Sequence, residues 1–269
     1  MTLTWAIIYG VLQGLTEFLP ISSSGHLALI PFFFELKDPG VFFDLMMHVG
    51  TALAISVYFW KDIKNLFNGL YLFSIKKERE GNSAFALNFT LATLTTVIFI
   101  LLIKDIALEY GRNPLFIGIN LLVFGVLLFL SDKFGSDHVD LTKKIDIKRS
   151  LLIGFSQMLA IFPGVSRSGI TITSARFSGL SRVNASRFSF LLSLPIIFAS
   201  VAYKLKSTLG DGGESISFDL THMLVGVSVS FVVGIVTIHY FLKLLNKMGL
   251  GIYAVYRALL AIAIFYFIN

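Results

Sequence analysis

The chain has 269 residues, of which 55% are hydrophobic and 14% are charged, with 27 Phe and no Cys. Its mean hydropathy of +0.81 excludes a soluble globular protein, and the absence of Cys excludes a disulfide framework and thiolate chemistry. The net charge of +6 comes mostly from loops beside apolar runs, which argues against nucleic acid as a partner. We therefore expect an integral membrane protein.

The first apolar run, at 4–30, is interrupted by polar and helix-breaking residues. Residues 17–26 read EFLPISSSGH, in which Pro20 and the serines break the helix. Irregular backbone at bilayer depth is tolerated only where protein buries it or where it lines a water-filled cavity. An ionisable side chain there costs about 2.5 kcal/mol or more, so Glu17 and His26 should face a polar cavity. We predict a re-entrant helix-turn-helix hairpin.

The polar side chains of this hairpin suit phosphoryl transfer. A serine hydroxyl becomes a nucleophile when a nearby base accepts its proton, and either Glu17 or His26 could be that base. Gln13 precedes Glu17 by one helical turn, and the two could hold a divalent cation, because Mg²⁺ often binds one or two carboxylates together with substrate phosphates. Alternatively, these side chains only hydrogen-bond between helices, at about 1 kcal/mol each. The serines are Ser22, Ser23 and Ser24.

Six further apolar runs are long enough to span a bilayer, at about 20 residues each. We predict spans at 41–60, 85–104, 114–131, 183–203, 220–242 and 251–268. Near the start of the first span, Asp44 and His48 lie four residues apart. They could form the outer wall of a site or be interfacial residues in contact with water.

The distribution of Lys and Arg among the connecting loops indicates an orientation. The loops 61–84, 132–149 and 243–250 carry five, five and two, together twelve, and the loops 31–40, 104–113 and 204–219 carry one, two and two, together five. Because basic loops stay in the cytoplasm, we expect the first set inside and both termini outside. The hairpin at 4–30 then enters from outside.

A second broken run, at 149–178, repeats the first in weaker form and should enter from inside. Residues 157–171 read QMLAIFPGVSRSGIT, and both copies contain Gln, an apolar turn, Phe, Pro, serines and Gly in that order. Broken apolar segments at corresponding places in two halves indicate a binding site at the repeat interface. We expect one all-α membrane domain over 1–269, built from inverted repeats at roughly 1–131 and 132–269.

The second break is suited to bind phosphate. Gly and Ser let backbone N–H groups approach an anion, and a helix that starts there directs its positive end at the same point. Arg167 adds a planar guanidinium group whose N–H donors match phosphate oxygens. The alternative is a kinked helix whose arginine snorkels towards the interface. Besides Arg167, the candidate phosphate-binding residues are Ser166, Ser168, Gly169, Thr171, Ser22 and Ser24.

The other polar residues of the second half are expected to be structural. Three arginines at the cytoplasmic end of the second hairpin should serve orientation, and three serines ahead of Pro195 should serve helix packing. They are Arg176, Arg182, Arg187, Ser186, Ser189 and Ser193. Arg257, in the last span, could snorkel to the interface or turn inward as the partner of an acid.

The motif at 17–26 together with PGVSRSG at 163–169 closely resembles the undecaprenyl-diphosphate phosphatase family, also called bacitracin-resistance proteins. The resemblance covers the whole chain and extends to residues 43–44, 50–51, 187–193 and 256–257. It implies hydrolysis of undecaprenyl diphosphate to the monophosphate and phosphate, which recycles the lipid carrier of cell-wall synthesis. It also implies a location in the cytoplasmic (inner) membrane, with an active site open to the extracytoplasmic side. A homodimer is compatible with the resemblance.

The resemblance also implies roles for individual residues. Ser23 falls on the proposed nucleophile, His26 on the family's histidine and Arg167 on its phosphate-binding arginine. Gln13 and Glu17 fall on a Glu/Gln-x-x-x-Glu element, and similar members depend on a divalent cation, usually Mg²⁺ or Ca²⁺. Many members have Glu at position 13, so the Gln here removes one possible carboxylate ligand.

Two other classes of function remain to be weighed against a phosphatase. Inverted, broken-helix repeats are also the usual architecture of transporters, which suggests movement of a lipid phosphate across the bilayer as an alternative. A channel would need a ring of like charges or a row of carbonyl donors, and the sequence has neither pattern. Whether serine or water attacks the phosphorus is also left open.

Overall fold

The computed structural model of the chain describes residues 2–110, 113–137, 145–210 and 220–268, with side chains left out at 107–110 and 207–210. Within these ranges the protein is all-helical. The helices are α1 (Leu3–Thr16), α2 (Ser23–Phe34), α3 (Val41–Tyr58), α4 (Trp60–Lys76), α5 (Gly81–Tyr110), α6 (Pro114–Phe134), α7 (Ile147–Gln157), a 3₁₀ helix (Met158–Ile161), α8 (Arg167–Phe177), α9 (Arg182–Gly210), α10 (Leu220–Met248) and α11 (Gly251–Ile268).

Six of these helices are long and apolar enough to cross a bilayer. They are α3, residues Gly81–Ile106 of α5, α6, residues Arg182–Lys206 of α9, α10 and α11. Each coincides with one of the six predicted spans, so that prediction is confirmed. The large apolar side chains that these helices leave exposed suit contact with lipid rather than with water.

The two broken runs each form a pair of short helices joined by a turn, as predicted. The helices α1 and α2 have 14 and 12 residues, and α7 and α8 have 11 each. At 1.5 Å per residue, 14 residues reach about 21 Å, which is shorter than a hydrocarbon core of about 30 Å. The pairs therefore have the dimensions of re-entrant hairpins. Their entry from opposite sides of the bilayer, and the inverted repeats, stay predictions.

Close helix packing positions the first hairpin. A Cβ atom at Gly14 of α1 would lie 2.7 Å from Val233 Cβ of α10, and one at Gly50 of α3 would lie 2.3 Å from the Val227 carbonyl oxygen of the same helix. Only glycine permits both approaches, as is common where membrane helices pack tightly. As a result α1 and α3 lie side by side on α10, which brings their polar residues together.

The turn of the first hairpin is fixed to the centre of the molecule by an aromatic contact. Phe18 is fully buried and packs edge to face against Phe190 of α9, with ring centroids 5.2 Å apart. Such pairs contribute about 0.5–1.5 kcal/mol beyond the area they bury. Glu17 precedes Phe18 and is therefore held beside α9.

One part of the predicted topology differs from the structure. The stretch 61–84 was expected to be a loop because of its five basic residues, but Trp60–Lys76 forms α4. Trp60, Phe67, Tyr71 and Ile75 recur at helical spacing and remain more than half exposed, which makes α4 amphipathic. The high charge of the stretch obscured this periodicity. Arg112, Lys143 and Lys144, which contributed to the loop counts, lie outside the described residues.

The three arginines that were expected to serve orientation each pair with an aspartate of another element. Arg182 Nε lies 2.6 Å from Asp132 Oδ1, and Arg187 Nη2 lies 2.6 Å from Asp62 Oδ1. Arg176, almost fully buried, pairs with Asp137. These pairs join α9 to α6 and α4, and α8 to the segment that follows α6, so the arginines have a packing role, while their effect on orientation stays a prediction.

Candidate active site

The two hairpin turns are built in the same way. Each ends in a serine whose backbone is left-handed, Ser22 with φ 75° and Ser166 with φ 73°. Each serine hydroxyl accepts a hydrogen bond from the N–H of the glycine three residues later, Gly25 and Gly169 respectively, and so caps the next helix. A left-handed non-glycine residue costs about 1–3 kcal/mol and marks a site whose geometry the surroundings impose.

The helices that start at these turns meet end to end. The Gly164 N–H donates to Ser22 Oγ at 3.0 Å, and Ser168 Oγ donates to the Leu19 carbonyl oxygen at 3.2 Å. The first N–H groups of an α-helix have no intrahelical acceptor, and its N-terminus carries a partial positive charge. Two such ends at one point form a site for an anion.

Glu17 lies at this meeting point and is only 7% exposed. Its Oε1 accepts a hydrogen bond from Arg167 Nη2 at 2.5 Å, and its Oε2 accepts from Ser23 Oγ at 2.6 Å and from Gln13 Nε2 at 3.0 Å. His48 Nε2 lies 3.4 Å from the same Oε2. The structure thus brings the acid of the first hairpin and the guanidinium of the second into direct contact.

The hydrogen bond between Ser23 and Glu17 suits nucleophilic attack by the serine. A hydroxyl that donates to a carboxylate at 2.6 Å can pass its proton to that carboxylate as it attacks, which is the geometry of a nucleophile and its general base. From the sequence, either Glu17 or His26 could be the base. In the structure Glu17 is the group in contact with Ser23.

His26 has other partners. Its Nδ1 lies 2.8 Å from the Ser22 carbonyl oxygen and its Nε2 lies 2.7 Å from Tyr256 Oη, with the two rings stacked. A ring nitrogen that faces a carbonyl must donate, so Nδ1 carries the proton and, in the neutral ring, Nε2 accepts from Tyr256. Among the described residues, His26 is hydrogen-bonded to neither Ser23 nor Glu17.

The remaining candidate residues surround this core. Thr171 is fully buried and donates to the Arg167 carbonyl oxygen at 2.7 Å, so it supports Arg167 from behind. Ser166 and Ser168 lie at the start of α8, with their hydroxyls 3.3 Å apart. Ser24 Oγ lies 3.5 Å from Ser22 Oγ, on the partly exposed side of the turn.

Several residues that the structure places at the site had no site role in the sequence analysis, although the resemblance covers their positions. Thr51 Oγ1 accepts from Gln13 Nε2 at 3.3 Å, and Tyr256 holds His26. Ser189 and Ser193 were assigned to helix packing, yet both line a cleft together with Glu17 and Arg167. The sequence evidence for a site role of these serines was weak, because a hydroxyl group in an apolar span usually bonds only to the backbone of its own helix. His48, at a four-residue spacing from Asp44, was recognised as a candidate wall of the site.

Arg257 joins both turns and is completely buried. Its guanidinium donates to five backbone carbonyl oxygens at 2.8–3.2 Å, those of Pro20, Asn120, Leu121, Gly164 and Val165. The side chain therefore turns inward, as one of the two interpretations expected, but its partners are carbonyl groups and not an acid. Because Pro20 belongs to the first turn and Gly164 and Val165 to the second, Arg257 fixes their separation.

The residues present fit a divalent cation that arrives with phosphate, and not one held by protein alone. No group of three or more His, Cys, Asp and Glu capable of holding a metal ion occurs in the described part of the chain. Both oxygens of Glu17 already accept hydrogen bonds. However, Gln13 Oε1 beside it is buried and has no hydrogen-bond partner among the described residues, so one amide oxygen and one carboxylate could complete a shell supplied mainly by phosphate and water.

The chain is similar to known proteins over nearly its whole length. The family model described as bacitracin resistance protein BacA matches residues 6–263. Similar curated proteins, each named undecaprenyl-diphosphatase, include one from Marinobacter nauticus, 40% identical over 261 residues, and one from Idiomarina loihiensis, 41% identical over 261 residues, with 97% of both chains covered in each case. A third, from Caldicellulosiruptor bescii, is 38% identical over 268 residues, which are 99% of this chain and 98% of that protein.

Proposed function

The chain belongs to the bacitracin resistance protein BacA family, and we propose that it hydrolyses undecaprenyl diphosphate at the meeting point of its two hairpins. It is an integral membrane hydrolase of the undecaprenyl-diphosphatase type, whose reaction returns the lipid carrier of cell-wall synthesis to its monophosphate form. The observation that carries the location of the site is the contact of Glu17 with both Ser23 and Arg167. It joins a nucleophile, a base and a phosphate-binding cation across the two hairpins.

The proposed reaction begins when the terminal phosphate of the substrate enters between the N-termini of α2 and α8. The cleft beside Glu17 and Arg167 measures only about 10 Å³, room for about one water molecule. Because this cleft is too small for phosphate, we assign to substrate binding an exchange in which Arg167 leaves Glu17 and turns to the phosphate oxygens. That exchange frees Glu17 to accept the proton of Ser23, so substrate binding prepares the base.

Ser23 Oγ then attacks the terminal phosphorus while its proton passes to Glu17. The bond from phosphorus to the bridging oxygen breaks, undecaprenyl phosphate leaves with the electron pair, and water hydrolyses the phosphoserine to release inorganic phosphate. Arg167 and the helix N–H groups stabilise charge on the transferred group, which supplies most of the rate in phosphoryl transfer. His26, in its protonated form and released from Tyr256, donates its Nε2 proton to the leaving phosphate and then accepts a proton from the attacking water, while Glu17 returns its proton to Ser23 Oγ.

We propose that Glu17 and Gln13 Oε1 would hold a divalent cation, Mg²⁺ or Ca²⁺. When bound with the diphosphate, such an ion neutralises phosphate charge. Gln13 contributes by placing its amide beside Glu17, where its Nε2 also contacts Thr51. These two side chains are the protein ligands that we assign.

Phosphate release by the purified full chain tests the function. With undecaprenyl diphosphate in detergent micelles, we expect inorganic phosphate to form, and a chelator to reduce the rate at least about tenfold, with recovery on addition of Mg²⁺. A transporter of lipid phosphate would release no phosphate and would need a closed membrane. Full activity in chelator would contradict the cation assignment while leaving the phosphatase in place.

Ser23→Ala tests whether serine is the nucleophile. We expect kcat to fall at least about 10³-fold, because the attacking oxygen is lost while Glu17 and Arg167 remain. Ser56→Ala is a matched control, since Ser56 lies outside the candidate site and donates to the Ala52 carbonyl oxygen of its own helix. Near-normal turnover by Ser23→Ala would show that water attacks directly.

We also propose that the site opens to the extracytoplasmic side of the cytoplasmic membrane. The excess of basic residues in the segments 61–84, 132–149 and 243–250 places these segments in the cytoplasm, and the first hairpin then enters from outside. The chain has no Cys, so single cysteines report orientation. Lys37 and Lys77 are both exposed, on loops of opposite predicted side. In intact cells an impermeant maleimide should label Lys37→Cys and not Lys77→Cys, and the reverse pattern would contradict this orientation.

A further inference from the structure

A groove on the surface of the helix bundle runs beside the second hairpin turn. It has a volume of about 300 Å³ and lies between one face of α6 and the segment that leads into the turn. Its lining is mostly apolar and aromatic and consists of Phe116, Asn120, Phe124, Leu159, Phe162, Pro163 and Val165. Phe116, Asn120 and Phe124 are spaced four residues apart, so they form a single stripe along α6.

Several polar groups of this groove are already engaged. Asn120 Nδ2 donates to the Pro163 carbonyl oxygen at 2.9 Å. The carbonyl oxygens of Asn120 and Val165 accept from Arg257 at 3.2 and 3.1 Å. Six of the seven lining residues are apolar, so the groove presents mainly rings and aliphatic groups, which suits a hydrocarbon ligand.

The groove and the candidate active site are both built on the second hairpin turn. Val165, which lines it, stands two residues before Arg167, and consecutive Cα atoms are 3.8 Å apart, so the two Cα atoms are separated by at most about 7 Å. Gly164, between two lining residues, donates its N–H to Ser22 Oγ, next to Ser23. The second turn therefore contributes residues both to the groove and to the candidate active site, which places an apolar surface beside the proposed phosphate position.

Resting on the proposed function, we infer that this groove holds the isoprene units nearest the diphosphate of the substrate. A branched, unsaturated chain packs well against aromatic rings and Pro163, and the remainder of the tail continues into lipid. The groove thus selects a prenyl diphosphate over a diphosphate that lacks a tail. Ordinary membrane lipid is the competing occupant, which the experiment must separate.

The double substitution Phe116→Ala with Phe124→Ala tests the groove through chain-length dependence. For prenyl diphosphates of 15 and 55 carbons we expect KM to rise about tenfold, with kcat within twofold, because tail contacts are lost but the reacting groups are not. For a five-carbon prenyl diphosphate, too short to fill the groove, KM should change less than twofold. Phe129→Ala is the control, since Phe129 lies on α6, 46% exposed and outside the groove.

A photoreactive probe gives a readout that does not depend on turnover. A 15-carbon prenyl diphosphate with a diazirine in its second isoprene unit, added to Ser23→Ala protein in vesicles, should attach within residues 116–124 or 159–165. The matching 15-carbon alcohol should attach there much less. Equal attachment of diphosphate and alcohol would show a site for membrane lipid only and would overturn the inference.

These outcomes also separate the groove from the proposed function. An unchanged KM in the double variant, with phosphate still released and the probe attached elsewhere, would overturn the groove and leave the phosphatase standing. An equal rise in KM for all chain lengths would show that the substitutions distort the site, and would likewise overturn the groove. If wild-type protein releases no phosphate but the probe still attaches in the groove, the proposed function fails and the prenyl-diphosphate site remains.

Discussion

Replacing Glu17 with Gln should reduce kcat for undecaprenyl diphosphate by about 10³-fold or more. A general base contributes about 10²–10⁴ in rate, and Glu17 is the only group of the described site within hydrogen-bond distance of Ser23 Oγ that can accept its proton. The amide of Gln has nearly the same shape but only one acceptor oxygen, so it can accept from Ser23 or from Arg167 but not from both. Phosphate release by purified protein in vesicles measures the effect.

A matched control separates loss of chemistry from loss of charge. Glu78 is exposed in the loop that follows α4, and Glu78→Gln removes the same charge outside the candidate active site, so its kcat should stay within twofold of wild type. Thermal unfolding of both variants in detergent checks that the fold is intact. A Glu17→Gln enzyme with a kcat within tenfold of wild type would show that Glu17 is not the base.

Replacing Arg257 with Met should both destabilise the protein and abolish turnover. The substitution removes the donor of three buried carbonyl oxygens in the turns, those of Pro20, Gly164 and Val165, and each unsatisfied buried group costs about 1–3 kcal/mol. We expect a loss of at least about 3 kcal/mol in the free energy of unfolding, at the upper end of single substitutions. The unfolding midpoint and the rate of phosphate release are the two measurements.

Arg257→Lys distinguishes a role in folding from one in positioning. An ammonium keeps the charge and three donors but lacks the planar fork that reaches both turns, so this variant should fold with kcat reduced at least about tenfold and KM little changed. Arg187→Met is the control, because its pair with Asp62 is partly exposed and worth about 1 kcal/mol or less. Wild-type kinetics in Arg257→Lys would contradict the positioning role.

The parts of the fold that sequence predicts best are those that a bilayer dictates locally. The six spans follow from length and hydropathy, because every backbone polar group in lipid must bond within its own helix. The hairpin turns at Pro20 and Pro163 follow for the same reason, since proline and serine within apolar runs require a protected break. The helix α4 was missed because its charged residues hide an apolar face that only helical spacing defines.

The partners within the site depend on contacts that no local pattern contains. Arg257 binds carbonyl groups more than 90 residues away in sequence, and backbone acceptors leave no signature in side-chain composition. Tyr256 reaches His26 from the last span, where an aromatic residue is unremarkable. The ambiguity between Glu17 and His26 as the base is of the same kind, because both lie near Ser23 in sequence and only the turn geometry decides which one contacts it.

An experimental structure with a non-hydrolysable prenyl diphosphate, such as one with a methylene bridge between the phosphorus atoms, tests the central claim most directly. We predict that the terminal phosphorus lies about 3–3.5 Å from Ser23 Oγ, with Arg167 released from Glu17 and bound to the phosphate oxygens. A diphosphate bound away from both hairpin turns, with the pair of Glu17 and Arg167 still closed, would contradict a shared site built from the two hairpins.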